Sequence, residues 1–375
     1  MKIGILVYKL SGGGLERATG LLSIALHELG YQTTIICVFD NIAYTYGGEL
    51  INLEKKVGKG NNLLNNIRRF LLMRTLVRKE KFDYIIDARP RYSGLKQLLH
   101  YWFIQRKERM IYMVHNYNLV TYFSPLKFLA QYLYKDAYEI VGVSDAIVHH
   151  FQSVYGFIKG RRIYNPIDSK ALKKMSTEDL PENKILPTYP YILSYGRIHE
   201  DSKNLSFLIE AYSESKLPDY NIHLLILGNG PDKISLQIKV QLLNLEEYVH
   251  FEPYTTNPFP FVQNALFITL TSNYEGFPMV LVEAMALRTP VVAVDCTSGP
   301  SEIVRTGENG ILVPFQHKEK FVEALNRMVS EKSFYEKCKK GTSQSIRPFL
   351  IPNIANLWKE LLKPDNGSFG SKSLS

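Results

Sequence analysis

Cysteine is scarce in this 375-residue chain. Cys37, Cys296 and Cys338 are scattered and form neither a CxxC pair nor a disulfide framework, so a reducing cytosol fits. No run of 18 apolar residues occurs, which excludes a membrane-spanning helix. The apolar core of MKIGILVYKL is too short for a secretory signal, and SGGG follows where a cleavage site does not belong. Neither GxxxxGK[ST] nor Asp-x-Asp is present. The two glycine loops also fail as dinucleotide fingerprints. Gly12 and Gly14 are followed by Arg17 where a third glycine belongs, and GNGPDK at Gly228 lacks one too. Asp40, at the end of the second strand, imitates the ribose-binding acid of such a site but cannot rescue it, so a nicotinamide-dependent oxidoreductase is excluded.

What is present is the composition of an ordinary globular protein, 45% hydrophobic and 22% charged, at a length that suits two domains. The formal charge of +9 is unevenly spread. Residues 1–170 carry 24 Lys+Arg against 13 Asp+Glu, a net of +11, and the remainder of the chain nets −2. The excess is densest in EKKVGKGNNLLNNIRRFLLMRTLVRKEK, where basic residues alternate with Leu, Ile and Phe. Such a surface attracts an anionic membrane, at about 1 kcal/mol per basic residue near it. Arg74 and Arg78 interrupt the apolar face of this helix. No nucleic-acid-binding motif accompanies the charge, and nucleic acid is not expected as a partner.

Short apolar runs alternate with helical patterns. KIGILVY, TTIICVF, FDYIID, RMIYMVH and EIVGVS read as strands, with LERATGLLSIALHELG a helix ended by Gly30. After the polar, proline-bearing stretch NPIDSKALKKMSTEDLPENKILPTYP the pattern restarts, with strands in YILSYGRI, NIHLLILGNGP, LFITLTS and PVVAVDC. The expected fold is α/β, with two Rossmann-like doubly wound parallel sheets facing a central cleft. The expected boundaries are an N-terminal domain over 1–168, a linker over 169–190 and a C-terminal domain over 191–345. A helix over 346–363 crosses back, and a disordered tail occupies 364–375. A ligand belongs between the domains, at the C-terminal ends of the strands.

Three constellations face that cleft. Ser11-Gly12-Gly13-Gly14 lies between the first strand and first helix, where glycines admit a ligand to the backbone and the helix start offers N–H groups to an anion. Arg197 and Lys203, in SYGRIHEDSKNLSFL, follow the first strand of the second half and suit a diphosphate. The third is SNYEGFPMVLVEAMAL, in which an apolar segment has a carboxylate at each end, Glu275 and Glu283. Gly276 and Phe277 form a turn, and Pro278 suits the first helical position. The amides of Phe277, Met279 and Val280 then open an anion site, with Glu283 about 7–8 Å along the helix at ~1.5 Å per residue. Each carboxylate can accept two hydroxyl hydrogen bonds, so the pair can clasp the sugar and the ribose at the two ends of a nucleotide sugar.

With these motifs in this order, the chain resembles the retaining glycosyltransferases of family 4, of GT-B fold, over nearly its whole length. The resemblance rests on SGGGLER, NPID at Asn165, GR followed by Lys203, LGNGP, EGFPMVLVE, SGPSEIV and ENGILVP. It implies a nucleotide-diphosphate sugar in the cleft, UDP favoured over GDP, no metal or other cofactor, and retained anomeric configuration. Arg197, Lys203, the amides near Gly13 and Gly14, and those from Phe277 to Val280 would hold the β-phosphate. Glu275 would hydrogen-bond the transferred sugar and Glu283 the ribose. The base would lie beside Gly228, Asn229 and the segment Glu252, Pro253 and Tyr254. His115, in MIYMVHNY, falls where family members place a histidine near the reacting sugar. The first loop carries GGGLER where relatives often have GGAER. The implied acceptor is a glycan or lipid-linked glycan of a bacterial surface polysaccharide, on the cytoplasmic face of the membrane. A nucleotide-sugar epimerase or hydrolase of the same fold and a catalytically silent sugar-binding subunit remain as alternatives.

Overall fold

The computed structural model describes residues 1–91, 94–105, 108–179 and 185–363. The tail expected to be disordered, 364–375, and part of the expected linker, 180–184, lie outside the described residues.

Two parallel sheets organise the chain. The first has the order β3-β2-β1-β4-β5-β6-β7, from β1 (Lys2–Val7), β2 (Gln32–Cys37), β3 (Glu49–Asn52), β4 (Tyr84–Asp87), β5 (Met110–Val114), β6 (Glu139–Gly142) and β7 (Arg161–Arg162). The second runs β10-β9-β8-β11-β12-β13, from β8 (Tyr191–Tyr195), β9 (His223–Leu227), β10 (Val249–Glu252), β11 (Ile268–Leu270), β12 (Val291–Asp295) and β13 (Gly310–Pro314). Central strands such as β5 and β9 are buried at every position, as a parallel sheet covered by helices on both faces requires. In each sheet the winding reverses once, between β1 and β4 and between β8 and β11. The loops after those four strands therefore diverge and leave a crevice. The expected two-domain α/β architecture is the one observed.

Four helices position the site. They are α1 (Gly14–Glu28), α2 (Leu63–Glu80), α3 (Met279–Ala286) and α4 (Ile351–Leu361). Helix α4 returns to the first domain, where Ile351 and Ala355 pack on Leu21 and Ala25 of α1. Tyr84 and Tyr138 hydroxyls donate to the carbonyls of Lys363 (3.0 Å) and Leu361 (3.1 Å), fixing the return. Among the described residues no helix is long and apolar enough to cross a membrane.

Candidate active site

The glycine loop after β1 and the start of α3 meet across the crevice. A Cβ on Gly14 would lie 3.6 Å from Met279 Cγ, so the two helix N-termini abut. Gly12 has φ +84°, a conformation that favours glycine. Gly13 is extended, but a Cβ there would fall 2.5 Å from Glu16 Oε2. Helix α3 begins one residue later than expected. Pro278 is its N-cap (ψ 89°), so Met279, not Pro278, takes the first helical position. The Phe277 ring is buried against Tyr164 (5.2 Å) and Phe349 (5.3 Å), which leaves only its amide for a ligand. Gly276 packs directly on the other domain, because a Cβ there would sit 1.9 Å from the His115 carbonyl oxygen. Ser298 Oγ donates to the Gly276 carbonyl (3.1 Å) and faces Ser144 Oγ (2.9 Å), a second cross-domain contact.

The two glutamates have separate partners. Glu275 Oε1 accepts from Lys203 Nζ and from Ser272 Oγ, both at 2.6 Å. Arg197 is exposed at the end of β8 beside this cluster and forms no ion pair among the described residues. Its charge reaches Glu16 of α1, whose carboxyl is pushed up chiefly by burial, against the opposing pull of its own backbone amide, Lys9 and Arg197.

Glu283 is buried, and both of its oxygens are engaged. Oε1 lies 3.0 Å from Arg17 Nη1, across the domain boundary. Oε2 accepts from the Tyr195 hydroxyl at 3.0 Å. The Arg17 guanidinium sits 4.9 Å from the ring centroids of both Tyr44 and Phe259. Burial opposes its charge, yet Glu283 and the hydroxyls of Tyr44 and Tyr195 outweigh that and raise its pKa. A cavity of about 310 Å³ between the domains is lined by Arg17, Tyr44, Tyr254, Phe259, Met279 and Glu283. Arg17 is the principal site residue that sequence reasoning passed over. The available signal was its place one turn into α1, on the side that faces the cleft.

His115 follows β5. Burial first, and the charge of Arg91 second, lower its pKa to about 3, so the ring is neutral near pH 7. Among the described residues neither ring nitrogen makes a hydrogen bond of good geometry, and the nearby Asn165 side chain favours the charged ring only weakly against burial. Gly228 and Gly230 serve close packing. A Cβ at either would come within 1.8 Å of the carbonyl oxygen of Gly196 or Ile198, respectively. The Ile198 N–H donates to the Asn229 carbonyl (3.0 Å) and the Gly228 N–H to that of Glu252 (2.9 Å). The Asn229 side chain, Pro253 and Tyr254 stay exposed and Glu252 half-buried. Asp40 belongs elsewhere, since it accepts from Asn52 Nδ2 (2.9 Å) and pairs with Lys55 (3.4 Å) near the edge of the first sheet. Among the described residues no group of three or more His, Cys, Asp or Glu is placed to hold a metal ion.

Comparison with known proteins agrees with this geometry. Residues 12–171 match the family described as Glycosyltransferase Family 4, and residues 175–345 match Glycosyl transferases group 1. A Campylobacter jejuni relative is 28% identical over 88% of this chain and 90% of its own. It is an N-acetylgalactosaminyltransferase acting on a diphospho-undecaprenol-linked saccharide. The lipopolysaccharide 1,6-galactosyltransferase of Escherichia coli is 30% identical over 45% of each chain. Among solved structures, a glycosyltransferase from Rickettsia africae gives a TM-score of 0.74 at 17% identity, over 97% of this chain and 99% of that one. HepE from Anabaena, in complex with UDP-glucose, gives 0.73 at 18%, over 96% and 99%. Two family matches in series, laid on two facing parallel-sheet domains, make the assignment: the chain belongs to the GT-B glycosyltransferases, family 4 in its N-terminal half and group 1 in its C-terminal half.

Proposed function

We propose that this glycosyltransferase moves a hexose or N-acetylhexosamine from a UDP-sugar to a glycan or lipid-linked acceptor of a bacterial surface polysaccharide, with retention and without a metal. The observation that carries the reading is the Lys203–Glu275–Ser272 cluster beside the abutting starts of α1 and α3. There the Lys203 ammonium and a carboxylate lie beside two helix starts. Arg197, Lys203 and the amides from Gly14 and Met279 hold the diphosphate, Glu275 accepts from a hydroxyl of the transferred sugar, and Glu283 accepts from the ribose. The base lies towards Tyr254 and the Gly228–Asn229 loop.

The bond from the anomeric carbon to the diphosphate oxygen breaks as negative charge grows on the leaving group. Arg197, Lys203 and the helix starts stabilise that charge, and each such preorganised donor contributes about 3–4 kcal/mol. The acceptor oxygen attacks from the same face, and its proton passes to the departing phosphate oxygen. Neutral His115 borders the reacting sugar and can share a hydrogen bond without adding charge. The Campylobacter relative, whose acceptor is lipid-linked, supports that acceptor class, and the basic N-terminal domain supports docking on an anionic membrane face.

A thermal-shift screen of UDP-, GDP- and ADP-sugars tests the donor, with about 2.7 kcal/mol of stabilisation expected at 100-fold over Kd. Radiolabel transfer to a lipid-linked acceptor then tests the reaction. Activity is expected to survive EDTA, and a strict divalent-ion requirement would overturn the cation assignment. Donor turnover without acceptor would indicate an epimerase or hydrolase instead.

A further inference from the structure

The helix Lys233–Leu242 links β9 to β10 at one edge of the second sheet, and its outer face is apolar. Ile234 is 71%, Ile238 51% and Leu242 77% exposed, and their four-residue spacing puts them in one stripe. Leu243 is exposed beside its end. The inner side is anchored by Leu236 and Val240, which are buried in the core of the second domain. The other exposed residues along this stretch are Ser235, Gln237, Gln241 and Asn244, none of them charged. The helix Lys332–Ser345 of the same domain shows the usual alternative, with Lys332, Glu336, Lys337, Lys339 and Lys340 on its exposed side. An exposed apolar stripe bordered by uncharged polar groups has the make-up of the core of a protein interface.

The free charges nearby sit at the two ends of the stripe. Lys239 is the only charged residue from 234 to 245, and it turns aside to the Glu210 carboxylate of the neighbouring helix Leu205–Ser213. Asp232 accepts from the Glu200 amide (2.8 Å) and is likewise engaged within its own domain. Half-buried Lys233 precedes the stripe, and exposed Glu246 and Glu247 follow it. None of these three forms an ion pair among the described residues. They lie at opposite ends of a helix about 15 Å long and cannot reach one another.

We propose that a second copy of this chain covers this face, the two helices packing antiparallel about a two-fold axis near Ile238. Antiparallel pairing sets Ile234 against Leu242 and Ile238 against its own counterpart, and it brings Lys233 of each copy to Glu246 and Glu247 of the other. Parallel pairing would set lysine against lysine at one end and glutamates against glutamates at the other. The surface therefore complements itself in one orientation. An anionic bilayer fits less well, because the face lacks the row of basic residues that such a surface binds. A helix of 10 residues covers less than the roughly 800 Å² per partner of a standard interface, so the dimer is a weak one, with Kd expected between about 1 and 100 µM. None of the stripe residues lines the interdomain cavity, so pairing leaves the cleft free.

Sedimentation equilibrium of the full-length protein, from about 1 to about 200 µM, reads the balance of monomer and dimer. Ile238→Glu meets itself at the axis and is expected to weaken the dimer at least ~30-fold. Lys233→Glu is expected to weaken it several-fold, as is Glu246→Lys with Glu247→Lys, and the three substitutions together are expected to restore it. UDP binding, which depends on the cleft, is expected to stay unchanged in every variant and serves as the check on folding. A protein that remains monomeric at the highest concentration overturns the proposal. So does a dimer that survives Ile238→Glu, and one dispersed instead by Leu63→Glu belongs to the exposed side of α2. A triple variant no better than Lys233→Glu overturns the antiparallel arrangement and the proposal with it. Binding to vesicles of phosphatidylcholine and phosphatidylglycerol that Ile238→Glu abolishes, without a dimer, assigns the face to lipid and overturns it as well.

Discussion

Replacing Arg17 with Gln tests the contact that joins Glu283 to the other domain. The ion pair with Glu283 is 3.0 Å long, with side-chain exposures of 18% and 7%. Removing one partner of a fully buried pair costs about 3–5 kcal/mol, because the remaining charge is stranded. Two features reduce the figure here. The Tyr195 hydroxyl still donates to Glu283, and the pair borders an open cavity. The loss of two ring contacts adds about 0.5–1 kcal/mol each. With the pair cost cut to about 1 kcal/mol by those two features, the sum is a net loss of about 2–3 kcal/mol. At about 2.1 cal/mol/K of unfolding entropy per residue, a chain unfolding as one unit would lose about 3 °C in Tm. Calorimetric titration with UDP gives the sharper readout. If Glu283 holds the ribose and Arg17 holds Glu283, each of Arg17→Gln and Glu283→Gln weakens UDP binding. The double variant is then little worse than the poorer single. A coupling below about 0.5 kcal/mol would mean independent action and would refute the reasoning. Arg17→Lys keeps the charge but not the planar fork, so partial recovery is expected.

Three further outcomes follow from the geometry. Glu275→Gln removes the charge facing Lys203 and, on the proposed reading, a contact to the transferred sugar, so kcat is expected to fall far more than UDP affinity; comparable losses in both would remove Glu275 from the sugar. Gly276→Ala places a methyl 1.9 Å from the His115 carbonyl and must push the domains apart. The expected cost is about 1–3 kcal/mol and more than tenfold in turnover, with an unchanged circular dichroism spectrum. His115 has a folded pKa of about 3, below its usual 6.5. Between those values the unfolded chain binds the extra proton, so this stabilisation is complete above pH 6.5 and is lost as pH falls towards 3. His115→Gln is therefore expected to flatten the acid limb of the stability curve, by at most about 5 kcal/mol. An unaltered urea-denaturation profile between those pH values would show that the histidine is not held neutral.

The strands found from sequence and those missed differ in a physical way. The nine expected strands are interior to their sheets, where two covered faces demand continuous apolar runs such as LLIL in β9. The four without a strand assignment, β3, β7, β10 and β13, are the four edges. β7 is fully exposed and β10 mostly half-buried, so an edge needs no apolar run and gives periodicity little to detect. Helix α2 misled for a related reason. Arg74 and Arg78 interrupt its apolar face in the sequence, and in the fold the inward face mixes Asn65 and Arg69 with Met73 and Val77 while Leu63, Leu64, Ile67 and Leu71 look outward. No pattern of hydrophobicity announces that a buried arginine will find Glu54 and two glycine carbonyls. Long-range partners decide it.

The same distinction explains how much of the site was visible. Glycines, Arg197, Lys203 and the glutamate pair stand out because they lie in short stretches with one backbone task. Arg17 does not, because its meaning comes from a residue 266 positions away. That separation bears on function. Glu275 is anchored by Lys203 and Ser272 of its own domain, so it stays placed whether the cleft is open or closed. Glu283 has Tyr195 from its own domain and Arg17 from the other, so its full set of partners exists only when the domains are together. Two carboxylates on one apolar segment therefore answer to different conditions. One is fixed within its own domain by Lys203 and Ser272, and the other is completed by closure. A nucleotide whose ribose engages Glu283 thereby favours the closed arrangement, and by linkage closure favours the nucleotide.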